Sequence, residues 1–132
     1  MRTLNLSTPS RNVLVNITSD ISKIAADTSF PEGLLLIFCP HTTAGLTINE
    51  AADPDVAIDI EENLNQLIPH HQNYHHSEGN ADSHIKSVLT GQSILVPYSQ
   101  GKLILGTWQG IFFCEYDGPR SRKVYVFEIK TE

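Results

Sequence analysis

Histidine is concentrated where chemistry would need it. Six histidines occur in 132 residues, and five of them fall between His70 and His84, in the run HHQNYHHSEGNADSH. Imidazole titrates near neutrality and is the commonest side-chain metal ligand. The carboxylates Glu78 and Asp82 lie in the same run, and the sixth histidine, His41, follows an apolar segment ending at Cys39 and Pro40. A strand ending before His41 and a helix beginning before His84 can bring His41, His76 and His84 together, with a carboxylate or water completing a metal shell. His75 is an alternative to His76. His70 and His71, just past a helix-ending proline, read as solvated side chains near a helix C-terminus. The spacing matches no H-E-x-x-H or paired C-x-x-C zinc signature.

Three further stretches carry chemical interest. In Pro40–Gly45 (PHTTAG) small and hydroxyl residues let backbone N–H groups and the Thr42 and Thr43 hydroxyls approach an anion or a ring, although an ordinary turn has the same composition. Asn49 and Glu50 add polar groups before Asp53. In Gly106–Gly110 (GTWQG) the only tryptophan, Trp108, is flanked by glycines that clear space around its ring. That suits stacking on a planar ligand or a subunit, and equally a core tryptophan at a β-bulge. Asp117–Lys123 (DGPRSRK) gathers three cations on one turn of an acidic chain, which suits phosphate oxygens or a solvated hairpin tip. No P-loop, dinucleotide fingerprint or defensible Ser-His-Asp order is present.

The elements that must position these residues can be read from local signals. Residues 3–7 and 12–18 read as strands, the second with Val13, Val15 and Ile17 on one face. Thr18, Ser19 and Asp20 offer caps for a helix to Ala26, which Pro31 and Gly33 terminate. Leu34–Cys39 is apolar throughout, as in a strand covered on both faces. Pro40–Asn49 reads as a loop or strand edge. Asp53 before Pro54 is a strong helix start, and Ala57, Ile60, Leu64, Leu67 and Ile68 then recur at helical spacing. Asn80 can cap a second long helix over 81–89, closed by Gly91. Ser93–Tyr98, Lys102–Trp108, Ile111–Tyr116 and Arg122–Lys130 read as four strands joined by short turns, which favour antiparallel neighbours. The class is α+β, with antiparallel sheets and two or three helices around a sandwich-like core.

Composition narrows the function classes. At 14.6 kDa, 40% hydrophobic and 18% charged, residues 1–132 form one domain with a core of its own. Nine Lys and Arg against fifteen Asp and Glu give a net charge of −6 and a pI near 5.4. An acidic chain is poorly suited to general nucleic-acid binding, so no nucleic-acid partner is expected. The apolar runs are too short to span a bilayer and the start, MRTLNLSTPSRN, lacks an apolar export signal, so no membrane partner is expected and a cytoplasmic location is. Cys39 and Cys114 are then expected as reduced, buried thiols.

Taken together, HTTAGLTINEAADPDV (41–56), the run from Tyr74 through EGNADSHIKS (78–87), GTWQG (106–110) and DGPR (117–120) resemble the YjbQ-like family, also called the secondary thiamine-phosphate synthase family. The resemblance covers essentially the whole chain. It implies a YjbQ-like fold assembled as a homotrimer, with a cleft near the subunit boundary and a divalent metal held by histidines. By motif the ligands are His41, His76 and His84. The same motifs make Thr42, Thr43, Asn49, Asn80, Trp108, Gln109 and Arg120 the substrate-facing candidates, with Glu78, Asp82 and Lys86 for acid–base and cationic work. The implied activity, credited to the family as a side activity, joins a hydroxymethylpyrimidine diphosphate to a thiazole phosphate with release of pyrophosphate, so a small phosphorylated heterocycle is the expected substrate. Such a reaction needs cationic stabilisation of the leaving diphosphate and a platform for two flat rings. Three imidazoles suit zinc better than magnesium, which prefers oxygen ligands. That preference keeps a second expectation open, a metal-dependent hydrolase with Glu78 or Asp82 as base. A third is a non-catalytic ligand-binding trimer.

Overall fold

The computed structural model describes residues 1–131 as eight strands and three helices: β1 (Arg2–Ser7), β2 (Val13–Asn16), α1 (Thr18–Ala26), β3 (Glu32–Phe38), β4 (Ala44–Glu50), α2 (Pro54–Leu67), α3 (Ala81–Thr90), β5 (Ser93–Ser99), β6 (Lys102–Leu103), β7 (Gln109–Glu115) and β8 (Ser121–Lys130). All strand pairs are antiparallel. Five strands form one sheet in the order β1-β8-β3-β5-β6, and three form another in the order β2-β7-β4. The class is therefore α+β.

Alternation along each strand builds the layers. Leu35, Ile37 and Cys39, Val96 and Tyr98, and Val124 and Val126 point inward from the larger sheet. They meet Ala44, Leu46, Ile111 and Phe113 of the smaller sheet and Ile17, Ile21 and Ala25 around α1. The other face of β7 carries Phe112 and Cys114, which with Leu14 and Tyr116 make a second cluster. Ala57, Ile60 and Leu64 of α2 pack on that cluster, so β7 is covered on both sides.

Several expectations need correction. Thr18 does not end a strand; β2 stops at Asn16, whose Oδ1 accepts from the Thr18 N–H at 3.0 Å and its hydroxyl at 2.6 Å. Asparagine one residue before the cap position does the work assigned to Thr18, Ser19 and Asp20. Lys102–Trp108 is a strand only over its first two residues, because the Gln109 side chain accepts from the Gly106 N–H at 2.8 Å and closes a turn. Leu67 is 72% exposed, although its periodicity puts it in line with Leu64. The apolar strand β3 is buried on one face only: Leu34 and Leu36 are half-buried and Phe38 is exposed. Asp53 does cap α2, accepting from the Asp55 N–H at 3.0 Å. Gly91 closes α3 with φ of 82°, a conformation that suits glycine.

Candidate functional site

Three segments converge where β4 begins and β7 ends. Ala44 pairs with Glu115, so the loop before β4 (Pro40–Thr43) and the turn after β7 (Asp117–Arg120) lie side by side. The N-terminus of α3 supplies the third wall. Between them lies an open cleft of about 360 Å³ lined by His41, Thr42, Thr43, Glu78, Asn80, His84, Asp117, Arg120 and Arg122. A smaller depression of about 290 Å³ shares His41, Thr42 and His84 and is bounded by Val88 and Gln92.

His41 is held by the backbone of Lys123. Its Nε2 lies 3.0 Å from the Lys123 amide nitrogen and 3.2 Å from the Lys123 carbonyl oxygen. The amide donates when Nε2 is bare, and Nε2 donates to the carbonyl when it carries the proton. In the neutral ring Nδ1 carries the proton in the first case and is bare, able to accept or ligate, in the second. Burial, and next the Arg122 guanidinium, pull the His41 pKa below its ordinary value, so the ring is neutral at pH 7.

Arg120 is pinned at the cleft mouth: its Nε donates to the Asp117 carbonyl at 2.6 Å and its terminal nitrogen to the Asp117 carboxylate at 3.0 Å. Asn80 does not cap α3 with its side chain. Its amide instead donates to Asp117 at 2.9 Å, leaving its own oxygen buried without a partner. His76 approaches His84 edge-on with ring centroids 5.2 Å apart, and its Nε2 lies 3.5 Å from the Glu78 carboxylate. His70 and His71 stack on each other at 4.3 Å in a neighbouring depression, where His70 meets the Gly79 carbonyl at 2.8 Å.

Asp82 and Lys86 are elsewhere. On a helix of 3.6 residues per turn each sits about 200° from His84, so neither can share its face. Both are buried, at 0% and 1% exposure. Asp82 takes a two-pronged contact from Arg11 at 3.0 Å, and Lys86 reaches Asn12 at 3.1 Å and Asn65. They lock α3 to the chain before β2 and to α2, and they do not face the cleft. Burial pulls Lys86 below its ordinary pKa against the opposing pull of Asp82.

Trp108, Gln109 and Asn49 are also absent from the cleft. Glu50 pairs with Gln109 at the far end of the β4–β7 ladder. Seven residues at about 3.3 Å each put that end roughly 20 Å from the His41 loop. Trp108 is 64% exposed there, and its carbonyl accepts from the Ala51 N–H at 2.8 Å.

Reading along the chain missed Glu115 and Thr8 and treated Arg122 only as a nearby cation. A signal existed. Glu115 follows Ile111 and Phe113 on the core-facing register of its strand, and Arg122 precedes Val124 and Val126 on theirs. Charges on core-facing positions demand partners.

The fit to a divalent ion divides into chemistry and placement. Neutral imidazoles and a carboxylate are suitable donors, and a ring whose second nitrogen meets a backbone carbonyl, as His41 does, has the setting of a ligating histidine. Among the described residues no group of three His, Cys, Asp or Glu side chains is already arranged to hold an ion. The His76 and Glu78 side chains are 41% and 73% exposed, so they have room to turn toward His84 and His41. The donor types therefore fit, and holding an ion would need the His76 and Glu78 side chains to turn toward His84 and His41.

No helix among the described residues is long and apolar enough to cross a membrane. A family model described as UPF0047 protein YjbQ-like matches residues 2–131. The chain is 46% identical over 127 residues to the UPF0047 protein YugU of Bacillus subtilis, covering 96% of each. It is 50% identical over 121 residues to a UPF0047 protein of Methanocaldococcus jannaschii, covering 92% of this chain and 88% of that one. A crystal structure of an uncharacterized YjbQ/UPF0047 family protein from Clostridium acetobutylicum superposes with a TM-score of 0.95 at 46% identity, covering 98% of this chain and all of the other. A conserved hypothetical protein from Thermus thermophilus gives 0.91 at 42% identity, with coverage of 98% and 100%. On the whole-length family match, and on relatives this similar, the chain belongs to the YjbQ-like UPF0047 family.

Proposed function

We propose that the His41–His84 cleft is the site of a divalent-metal-dependent enzyme acting on a small phosphorylated substrate, with thiamine-phosphate synthase-type transfer as the reaction. The observation that carries this reading is the gathering of His41, His84, Glu78 and the Arg120 guanidinium around one open cleft, with His76 against His84. His41, His76 and His84 would hold the ion, zinc in preference to magnesium. When bound it would supply positive charge for a leaving diphosphate. Arg120, oriented by Asp117, presents its remaining N–H groups to phosphate oxygens. Thr42 and Asn80 offer polar contacts on either side.

One requirement is unmet within a single chain, because Trp108 lies at the opposite end of the ladder. A homotrimer answers it in principle. Leu36 on the outer face of the larger sheet is flanked by Leu95 and Phe127 in register, with Phe38 and Ile129 nearby, an apolar surface this chain does not cover. The proposed setting is the cytosol, which keeps the buried Cys39 and Cys114 thiols reduced. Purified protein supplied with zinc or magnesium should condense the pyrimidine diphosphate with the thiazole phosphate, and His84→Ala should abolish this. Product formation equal in wild type and His84→Ala overturns the assignment.

A second reading, metal-dependent hydrolysis, is favoured by the Glu78 carboxylate beside His76, a base within reach of the same cleft. Turnover of a single phosphate ester or carboxylic ester with water, lost in Glu78→Gln, would select it.

A further inference from the structure

One wall of the cleft, carrying His41, Asp117 and Arg120, is tied to one buried ion pair. Glu115 is fully buried and its carboxylate accepts five hydrogen bonds. Arg122 donates through Nε at 2.8 Å and through a terminal nitrogen, and the Thr8 hydroxyl donates at 2.6 Å. The Tyr116 and Asp117 amides donate at 3.1 and 3.0 Å. Arg122 is itself 5% exposed and donates onward to the Thr43 hydroxyl at 3.0 Å.

Four of these links lead to a residue that faces the cleft. Thr43 is two residues from His41. Lys123, whose amide meets His41, follows Arg122 directly. Asp117 is held through its own amide. Thr8 accepts from the Arg120 amide at 2.9 Å, and its own amide donates to the Arg120 carbonyl at 2.8 Å. The pair thus joins the end of β1, the loop before β4, the turn after β7 and the start of β8.

We propose that Arg122 and Glu115 are the positioning residues of the cleft, acting on ligand only through His41, Asp117 and Arg120. A buried pair costs desolvation that an apolar pair would not, so what it contributes is direction more than net stability. Here a carboxylate with five donors and a forked guanidinium fix four strand ends at once, which a hydrophobic contact cannot do directionally. The proposal rests on the reading of the cleft as a metal site, and its test separates the two.

Zinc affinity would be measured by competition with a chromophoric chelator, and the His41 ring nitrogens followed by NMR. Wild type would be compared with Glu115→Gln, Thr8→Val, Arg122→Lys and the control Asp82→Asn, at a temperature where all are folded. Glu115→Gln keeps the shape but turns an N–H toward existing donors. Thr8→Val is the milder variant, should Glu115→Gln fail to fold. Both should weaken zinc about ten- to hundredfold, as loss of an outer partner of a ligand does, and shift the His41 ring signals. Arg122→Lys keeps the charge without the fork and should fall between them and wild type. Asp82→Asn disturbs the other buried pair and should leave zinc affinity within about twofold, whatever it does to the melting temperature. Unchanged zinc affinity and His41 signals in Glu115→Gln or Thr8→Val would overturn the proposal, as would an equal loss in Asp82→Asn. If wild type takes up no zinc, the metal reading falls. The His41 signals then decide alone, by shifting in Glu115→Gln and Thr8→Val but not in Asp82→Asn, or by failing to.

Discussion

Two buried charge networks lie on either side of α3's N-terminal half, and they differ in what is attached to them. In one, Asp82 and Lys86 reach Arg11, Asn12 and Asn65, and the segments they join are structural. In the other, Glu115 and Arg122 reach Thr8, Thr43 and two backbone amides, and the segments they join carry His41, Asp117 and Arg120. Both carboxylates are fully buried, both meet an arginine, and burial alone would raise the pKa of each. Hydrogen bonds from the arginine overcome that and hold each below its ordinary value. A buried charge is therefore not in itself a sign of a site. What distinguishes the two is what the partners do: Glu115 and Arg122 reach Asp117 and Thr43 of the cleft wall, whereas Asp82 and Lys86 reach Arg11, Asn12 and Asn65, none of which lines the cleft.

The strongest way to break the comparison is to remove one partner from each network. Asp82→Ala strands Lys86, 1% exposed, beside Arg11, and Glu115→Ala strands Arg122. Each should lower the unfolding free energy by about 3–5 kcal/mol, the usual penalty for an uncompensated buried charge, as read by urea titration. A loss below about 1 kcal/mol for either would show that the pair relaxes into solvent.

Acid sharpens it next. Both carboxylates have folded pKa values below their unfolded ones, so the unfolded chain binds protons first as pH falls. The stability they contribute is present above pH 4.5 and is lost as pH drops through the folded values. Urea midpoints between pH 7 and pH 3 should fall for wild type and fall less steeply for Glu115→Gln or Asp82→Asn. Equal slopes in all three would remove both carboxylates from the acid response.

A smaller effect is expected on the outer sheet face. Leu36→Lys places a charge where Leu95 and Phe127 flank it in register, and should convert the proposed homotrimer to monomer by light scattering. A molecular mass unchanged by the substitution would remove this face from the proposed trimer. The smallest is Trp108→Ala, which should change chain stability by less than about 0.5 kcal/mol because the ring is largely exposed. A larger loss would give the far end of the ladder a structural weight that its exposure does not indicate.

The sequence by itself determined most of the elements, since the forces that set them are local, but not the short β6 or the full length of β4. Asp53-Pro54 starts α2, Gly91 ends α3, and period-two alternation marks the strands of an antiparallel α+β fold. It also placed His41, His84 and Arg120 among the candidates, because imidazole suits a metal ion and a guanidinium suits phosphate oxygens. Only the tertiary structure decided which candidates meet. Asp82 and Lys86 turned inward because helical phase sets them opposite His84, while Trp108 went to the far end because the β4–β7 register put it there. Thr8 and Glu115, 107 residues apart, and Thr43 and Arg122, 79 apart, touch only once both sheets have formed. Local propensity decays within a few residues, whereas a buried polar contact is settled by which strand ends the folded core brings within 3 Å.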